Sequence, residues 1–91
     1  MNLDSLQKKS LKLQEAFLMC KKKADVFNFL RDLLTEAEIL EFTQRLEIAE
    51  MLHNWESYKK IEETTWTSST TIARVAKFLN WNFGWYRKIF K

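Results

Sequence analysis

Residues 57–79, SYKKIEETTWTSSTTIARVAKFL, read as two short helices joined by a tight turn. The first carries one buried-type anchor, Ile61, with Tyr58 a turn before it. The second opens on the hydroxyl run Ser68-Ser69-Thr70-Thr71. That is N-cap chemistry, in which a side-chain oxygen accepts an amide N–H that the first helical turn leaves unpaired. Ile72, Val75, Ala76 and Leu79 then form an apolar stripe, and at about 100° per residue Thr70, Arg74 and Lys77 fall on the opposite face. A second helix buried along one side, with hydroxyls and bases along the other, meets the requirements of a DNA recognition helix. It equally describes an ordinary antiparallel helix pair with a solvated basic face, and spacing alone leaves both readings standing.

Composition narrows the field. Ninety-one residues suit one domain, and a chain this short buries a modest fraction of its surface, so self-association is expected. Hydrophobic residues at 46% and charged residues at 30% describe a folded chain, and the absence of proline with a single glycine favours helix. No apolar run approaches the roughly 20 residues that span a bilayer, and no signal-peptide pattern opens the sequence. The lone Cys20 excludes an internal disulfide, and no Cys/His cluster suggests zinc. The expectation is a cytoplasmic protein with no membrane partner. The net charge of +3 is unevenly spread: residues 1–35 carry +3, 36–53 carry −4 and 54–91 carry +4. Basic ends around an acidic middle suggest one face for phosphates and another kept from them.

Upstream of the helix pair, Leu3, Leu6, Ser10, Leu13, Phe17 and Cys20 follow a three-four alternation that Leu11 and Leu18 widen. This predicts one amphipathic helix from Leu3 to Cys20, whose broad apolar face packs either within the chain or across a dimer interface, the latter being favoured. Lys21-Lys22-Lys23 places cations at its negative end. Asp25 is expected to cap a second helix with Val26, Phe27, Leu30, Leu33 and Leu34 inward. Thr35-Glu36-Ala37-Glu38 is a capping-box sequence opening a long third helix to about His53. In that helix Ile39, Leu40, Phe42, Leu46, Ala49 and Leu52 are expected inside, and Glu36, Glu38, Glu41, Glu47 and Glu50 outside. Arg45, its one base, reads as an ion-pair partner, and His53 as a satisfied surface imidazole. No nucleophile–base pair, distinctive carboxylate pair or glycine-rich phosphate loop is present, so nothing supports an enzyme. After Leu79 the aromatic-rich Asn80-Trp81-Asn82-Phe83-Gly84-Trp85-Tyr86 and the basic Arg87-Lys88-Ile89-Phe90-Lys91 follow. Such aromatics either stack on nucleobases or plug a helix bundle, and the plug is the commoner use.

Phe29–Asn54, FLRDLLTEAEILEFTQRLEIAEMLHN, and Ser57–Tyr86, SYKKIEETTWTSSTTIARVAKFLNWNFGWY, together resemble the Trp repressor superfamily and its YerC/YecD-like subgroup. The resemblance covers roughly Lys23 to Tyr86. It implies an all-α Trp-repressor-like domain forming an intertwined homodimer, with two recognition helices displayed to successive major grooves of double-stranded DNA. The implied layout of the single domain, residues 1–91, is N-terminal dimerisation helices over 1–34, a long central helix over 35–54, the helix-turn-helix over 57–79 and a tail over 80–91. The implied function is a repressor-like transcriptional regulator; a small helical protein-interaction module is the alternative. The resemblance places Ser69, Thr70 and Thr71 at the start of the recognition helix, near base edges, with Ser68 at its cap. Lys59, Lys60 and Lys77 would reach phosphates, and Arg74 and Arg45 match two arginines of an effector pocket. Val75 and Phe78 stand where small residues admit an indole, which argues against tryptophan as corepressor and leaves no cofactor assigned. Ser and Thr lack a bidentate fork, so sequence choice would lean on water and DNA shape.

An average protein of this length holds about six glycines, whereas this one has one glycine and four tryptophans, Trp55, Trp66, Trp81 and Trp85. Each falls in a turn-like stretch, at or beside a position where the resembling family usually carries glycine. Either the chain is a divergent member with an unusual aromatic surface, or these codons are UGA triplets read as glycine in the source organism, in which case Trp66→Gly is expected to stabilise the chain.

Overall fold

With no proline and a single glycine, little in the chain interrupts helical hydrogen bonding. In the computed structural model, which describes residues 1–81 and 83–90 with the side chain of Trp81 excepted, every regular element is a helix. They are α1 (Leu3–Lys9), α2 (Leu11–Met19), α3 (Lys23–Leu33), α4 (Glu36–His53), α5 (Tyr58–Thr65), α6 (Ser69–Trp81) and α7 (Trp85–Ile89). Asn82 and Lys91, read above as parts of the aromatic turn and the basic tail, lie outside the described residues. The chain divides into two compact units, Met1–Glu36 and Ala37–Lys91.

In the first unit the single helix expected over Leu3–Cys20 is two, α1 and α2, meeting at Ser10. The Ser10 hydroxyl turns back to donate to the Leu6 carbonyl at 2.8 Å, and the residue sits at φ −99°, ψ 9°. A serine hydroxyl bonded one turn back slightly destabilises a helix and often bends it. Gln14 braces the joint, its Nε2 donating to Ser10 Oγ at 3.0 Å and to the Gln7 carbonyl at 3.1 Å. Asp25 caps α3 as expected, though as the capping-box partner in the first turn and not from the N-cap position, which Lys22 holds. Asp25 stands in the first turn and its carboxylate accepts from the amides of Lys21 at 2.9 Å and Lys22 at 3.3 Å. The inward set expected for α3 is also different. Val26, Phe27 and Leu33 are exposed, whereas Phe29 and Leu30 are half-buried, Phe29 meeting Phe17 edge to face at 5.1 Å. No residue of α1, α2 or α3 is buried, and Leu3, Leu6, Leu11, Leu13, Phe17 and Leu18 all face solvent.

The second unit is built on Ile48, Ala49, Ile61, Ile72 and Val75, with Met51, Leu52, Tyr86 and Phe90 packed around them. Ile48, Ile61 and Ile72 are each wholly buried, and each comes from a different helix of α4, α5 and α6. In α4 the expected inward residues Leu40, Phe42 and Leu46 are exposed and Ile39 and Leu52 only half-buried. Ala49 is buried as expected, but the helix is apolar on more than one side and the core is led by Ile48, which the sequence stripe left out. Helix α4 ends in a Schellman closure: Glu56 N–H donates to the Met51 carbonyl and Trp55 N–H to that of Leu52, each at 3.0 Å. His53 departs from its expected satisfied state; it is half-buried beside Phe90, and its Nδ1 is buried with no hydrogen-bond partner among the described residues. Tyr86 and Phe90, stacked 6.3 Å apart, cover the core as a plug, while Phe83, Trp85 and Ile89 remain exposed.

Deleting the side chain that α4 contributes to the core tests this packing. Ile48→Ala is expected to cost about 2–5 kcal/mol through lost burial and the cavity left behind. The readout is the shift of the urea midpoint; a shift equivalent to less than about 1 kcal/mol would show that α4 is held elsewhere.

Candidate nucleic-acid interface

The α5–α6 pair is positioned by caps at both starts and a left-handed turn between them. Ser57 Oγ accepts from Lys60 N–H at 3.1 Å and starts α5, and Ile61 anchors it. Thr65 at its end is buried; its hydroxyl donates to the Ile61 carbonyl at 2.7 Å and shares a 2.7 Å hydrogen bond with Thr67 Oγ1. Trp66 then adopts φ 59°, ψ 32°, its N–H donating to the Glu62 carbonyl at 2.9 Å. From α4, Gln44 Nε2 donates to the Thr65 carbonyl at 2.8 Å, tying the turn to the helix beneath it. This strap was not legible in the sequence, because its partners lie 21 residues apart with no periodic relation.

Ser68 begins α6 as expected. Its hydroxyl accepts from Thr71 N–H at 3.3 Å and lies 3.2 Å from Thr71 Oγ1. Ile72, Val75 and Leu79 are buried and Ala76 half-buried, so the apolar stripe faces the core. Ser69, Thr70, Arg74 and Lys77 are exposed along the outer face. Two of the hydroxyls are thereby separated from the others: Ser68 and Thr71 hold the cap, Thr71 half-buried, while Ser69 and Thr70 project free of it. Among the bases of α5, Lys59 is exposed, and Lys60 Nζ is paired with Glu56 at 2.8 Å. That hydrogen bond, with the attraction of the same carboxylate, holds the Lys60 ammonium above the ordinary lysine range. Lys60 is thus already partnered.

Arg45 and Arg74 line one cleft of about 630 Å³, together with Gln44, Glu41, Trp66, Val75 and Phe78. Arg45 pairs with Glu41 at 3.2 Å and lies over the Phe42 ring at 5.2 Å, so the ion-pair role expected of it is real. Val75, 4% exposed, forms cleft floor shared with the core, and Phe78 forms a wall. In the closing segment Arg87 donates to Asn80 Oδ1, and Lys88 Nζ sits 4.3 Å from the Trp85 ring centroid. Among the described residues no group of His, Cys, Asp and Glu is placed to hold a metal, and no helix is long and apolar enough to cross a membrane.

The Trp repressor protein family model matches residues 8–91. The uncharacterized protein YerC of Bacillus subtilis strain 168 is 40% identical over 82 residues, covering 89% of this chain and 79% of YerC. The crystal structure of a TrpR-like protein from Eubacterium eligens ATCC 27750 superposes with a TM-score of 0.89 at 34% identity, over 98% of this chain and 92% of that one. A candidate Trp repressor from Staphylococcus aureus gives 0.87 at 32% identity, over 98% and 90%.

The turn's construction yields a test independent of ligand. Gln44→Leu leaves the Thr65 carbonyl without its donor and is expected to cost about 1–3 kcal/mol in thermal or urea unfolding, with helical circular dichroism retained. A neutral Gln44→Leu would mean the strap does not hold the turn.

Proposed function

We propose, from the premise that this chain belongs to the Trp repressor family, that it is a repressor-like transcriptional regulator which reads double-stranded DNA in the major groove with α6. The family is one of DNA-binding regulators, not enzymes. The observation that carries the finer reading is the rotation of α6. With Ile72, Val75 and Leu79 locked into the core, Thr70, Arg74 and Lys77 have nowhere to point but outward. Ser69 and Thr70 sit in the first turn of α6, where a recognition helix meets base edges. Arg74, Lys77 and Lys59 supply phosphate contacts, and the amides at the start of α6 favour an anion. Ser68 and Thr71 act by holding that start in place; Lys60 contributes charge through its pair with Glu56. Because Ser and Thr give single, adaptable hydrogen bonds, phosphate contacts supply most of the affinity and DNA shape much of the choice.

The working form is a homodimer, supported by the exposed apolar residues of α1–α3, which a second copy would cover. Two recognition helices then address two half-sites. The compartment is the cytoplasm, where the DNA is. The Arg45–Arg74 cleft beside α6 is the place for a small effector; its two guanidiniums suit a carboxylate, and Phe78 on its wall disfavours an indole. No corepressor is assigned.

Duplex binding measured against salt tests the reading. With several phosphates contacted, log K should fall linearly with log salt at a slope of about −0.9 per phosphate neutralised. Thr70→Ala, Arg74→Ala and Lys77→Ala should each weaken binding with helical circular dichroism intact, Lys77→Ala also reducing the slope by about 1. No duplex binding at low salt would leave a protein-interaction module as the better description. Sedimentation should find a dimer at micromolar concentration, and a folded monomer there would remove the two-half-site arrangement.

A further inference from the structure

We infer that positions 55 and 66 are glycine positions, and that the chain made in its source organism carries glycine there because its gene uses UGA, read as glycine, at the codons written here as tryptophan. Two residues other than glycine have a positive φ among the described residues, Trp55 at 63° and Trp66 at 59°, and both are tryptophan, a residue that supplies four of the 91 positions. Only a few per cent of non-glycine residues adopt a positive φ, with Asn, Asp and His enriched among them, and a bulky residue there is an outlier. Both sites close helices by the hydrogen-bond patterns that favour glycine: the Schellman pair Glu56-to-Met51 and Trp55-to-Leu52 after α4, and Trp66-to-Glu62 after α5. Gly84, the one glycine in the sequence, occupies the same backbone region at φ 82°.

Strain at a left-handed residue persists when surrounding contacts repay it. Here they do not. Trp55 is 92% exposed and Trp66 90% exposed, so neither indole is held by packing that would offset its backbone. Two large apolar rings stand in water at two turns whose geometry asks for no side chain. Trp81, the last residue of α6, and Trp85, the first of α7, have no positive φ, so their backbone makes no such demand. Their own codons decide them, since a reassigned UGA gives glycine only where the gene carries UGA and not UGG. This corrects the expectation that all four lie in turns. With glycine at 66, the Arg45–Arg74 cleft loses an indole from its lining; with glycine at 85, the Lys88 contact is no feature of the native protein.

The inference stands apart from DNA binding, and it is tested without it. The first measurement reads the gene and the mass of the native peptide spanning residues 55 and 66. UGA at both codons with glycine mass establishes the inference; UGG at either, or tryptophan mass, overturns it. The second compares unfolding of the chain as written with Trp55→Gly, Trp66→Gly and the matching alanine variants. Each glycine variant should raise the folded-to-unfolded ratio roughly five- to tenfold, and alanine should recover clearly less, because alanine keeps the Cβ that the left-handed backbone penalises. Alanine matching glycine at both sites would show that only exposed aromatic surface was removed, and would overturn the backbone argument.

Discussion

Three isoleucines in mutual burial, Ile48 of α4, Ile61 of α5 and Ile72 of α6, are the constraint on which the second unit depends. Each is β-branched and stiff at χ1, so the contact fixes helix rotation as well as position. For α6 the consequence is immediate. With Ile72 held inward and Val75 and Leu79 following it at helical spacing, the residues about 100° to 180° away are committed to the outer face. Thr70, Arg74 and Lys77 are thus placed by a core they do not enter.

The α5–α6 pair was legible in the sequence because several local signals agree there. Hydroxyls stand where a cap is needed, one apolar stripe offers one buried side, and a single anchor serves a short helix. Helix α4 was not legible in the same way. Ile39, Leu40, Phe42 and Leu46 offer a second apolar side beside the one led by Ile48, and a sequence does not say which side meets its own chain. Ser10 shows a subtler limit: it sits on the apolar stripe by count, yet its hydroxyl bonds back to Leu6 at the joint where α1 gives way to α2. Lys22, Gln44 and His53 show why sites are harder still. Asp25 caps α3 from its first turn while Lys22 takes the N-cap position, the Gln44 strap joins distant residues, and the surroundings of the His53 ring depend on what closes over it.

The first unit carries the opposite balance of surface. Its rings meet at Phe17 and Phe29, but no residue of its three helices is buried. Apolar residues exposed at this density are rare on a protein that works alone, and a chain of this length has little core to spare for covering them. On the proposed dimer the two units have separate tasks, α1–α3 supplying association and α4–α6 supplying recognition. The affinity of one copy for another then becomes part of the stability of the recognition surface, because a partner that binds only the folded form stabilises it by mass action.

Helix α5 lies between two reversals, each made with one left-handed residue, at 55 before it and at 66 after it. The first sets how α5 leaves α4, and the second sets how α6 leaves α5. Gln44 and Ser68 fasten the second reversal from either side, through the Thr65 carbonyl and the Thr71 amide. None of those fastenings uses the side chain at 66, whose ring is in solvent. The orientation of the recognition helix therefore rests on backbone conformations that glycine adopts freely and any other residue adopts at a cost. For this fold, the identity of the residue at 66 matters through the Cβ it carries, and the meaning of a single codon decides whether the turn is relaxed or strained.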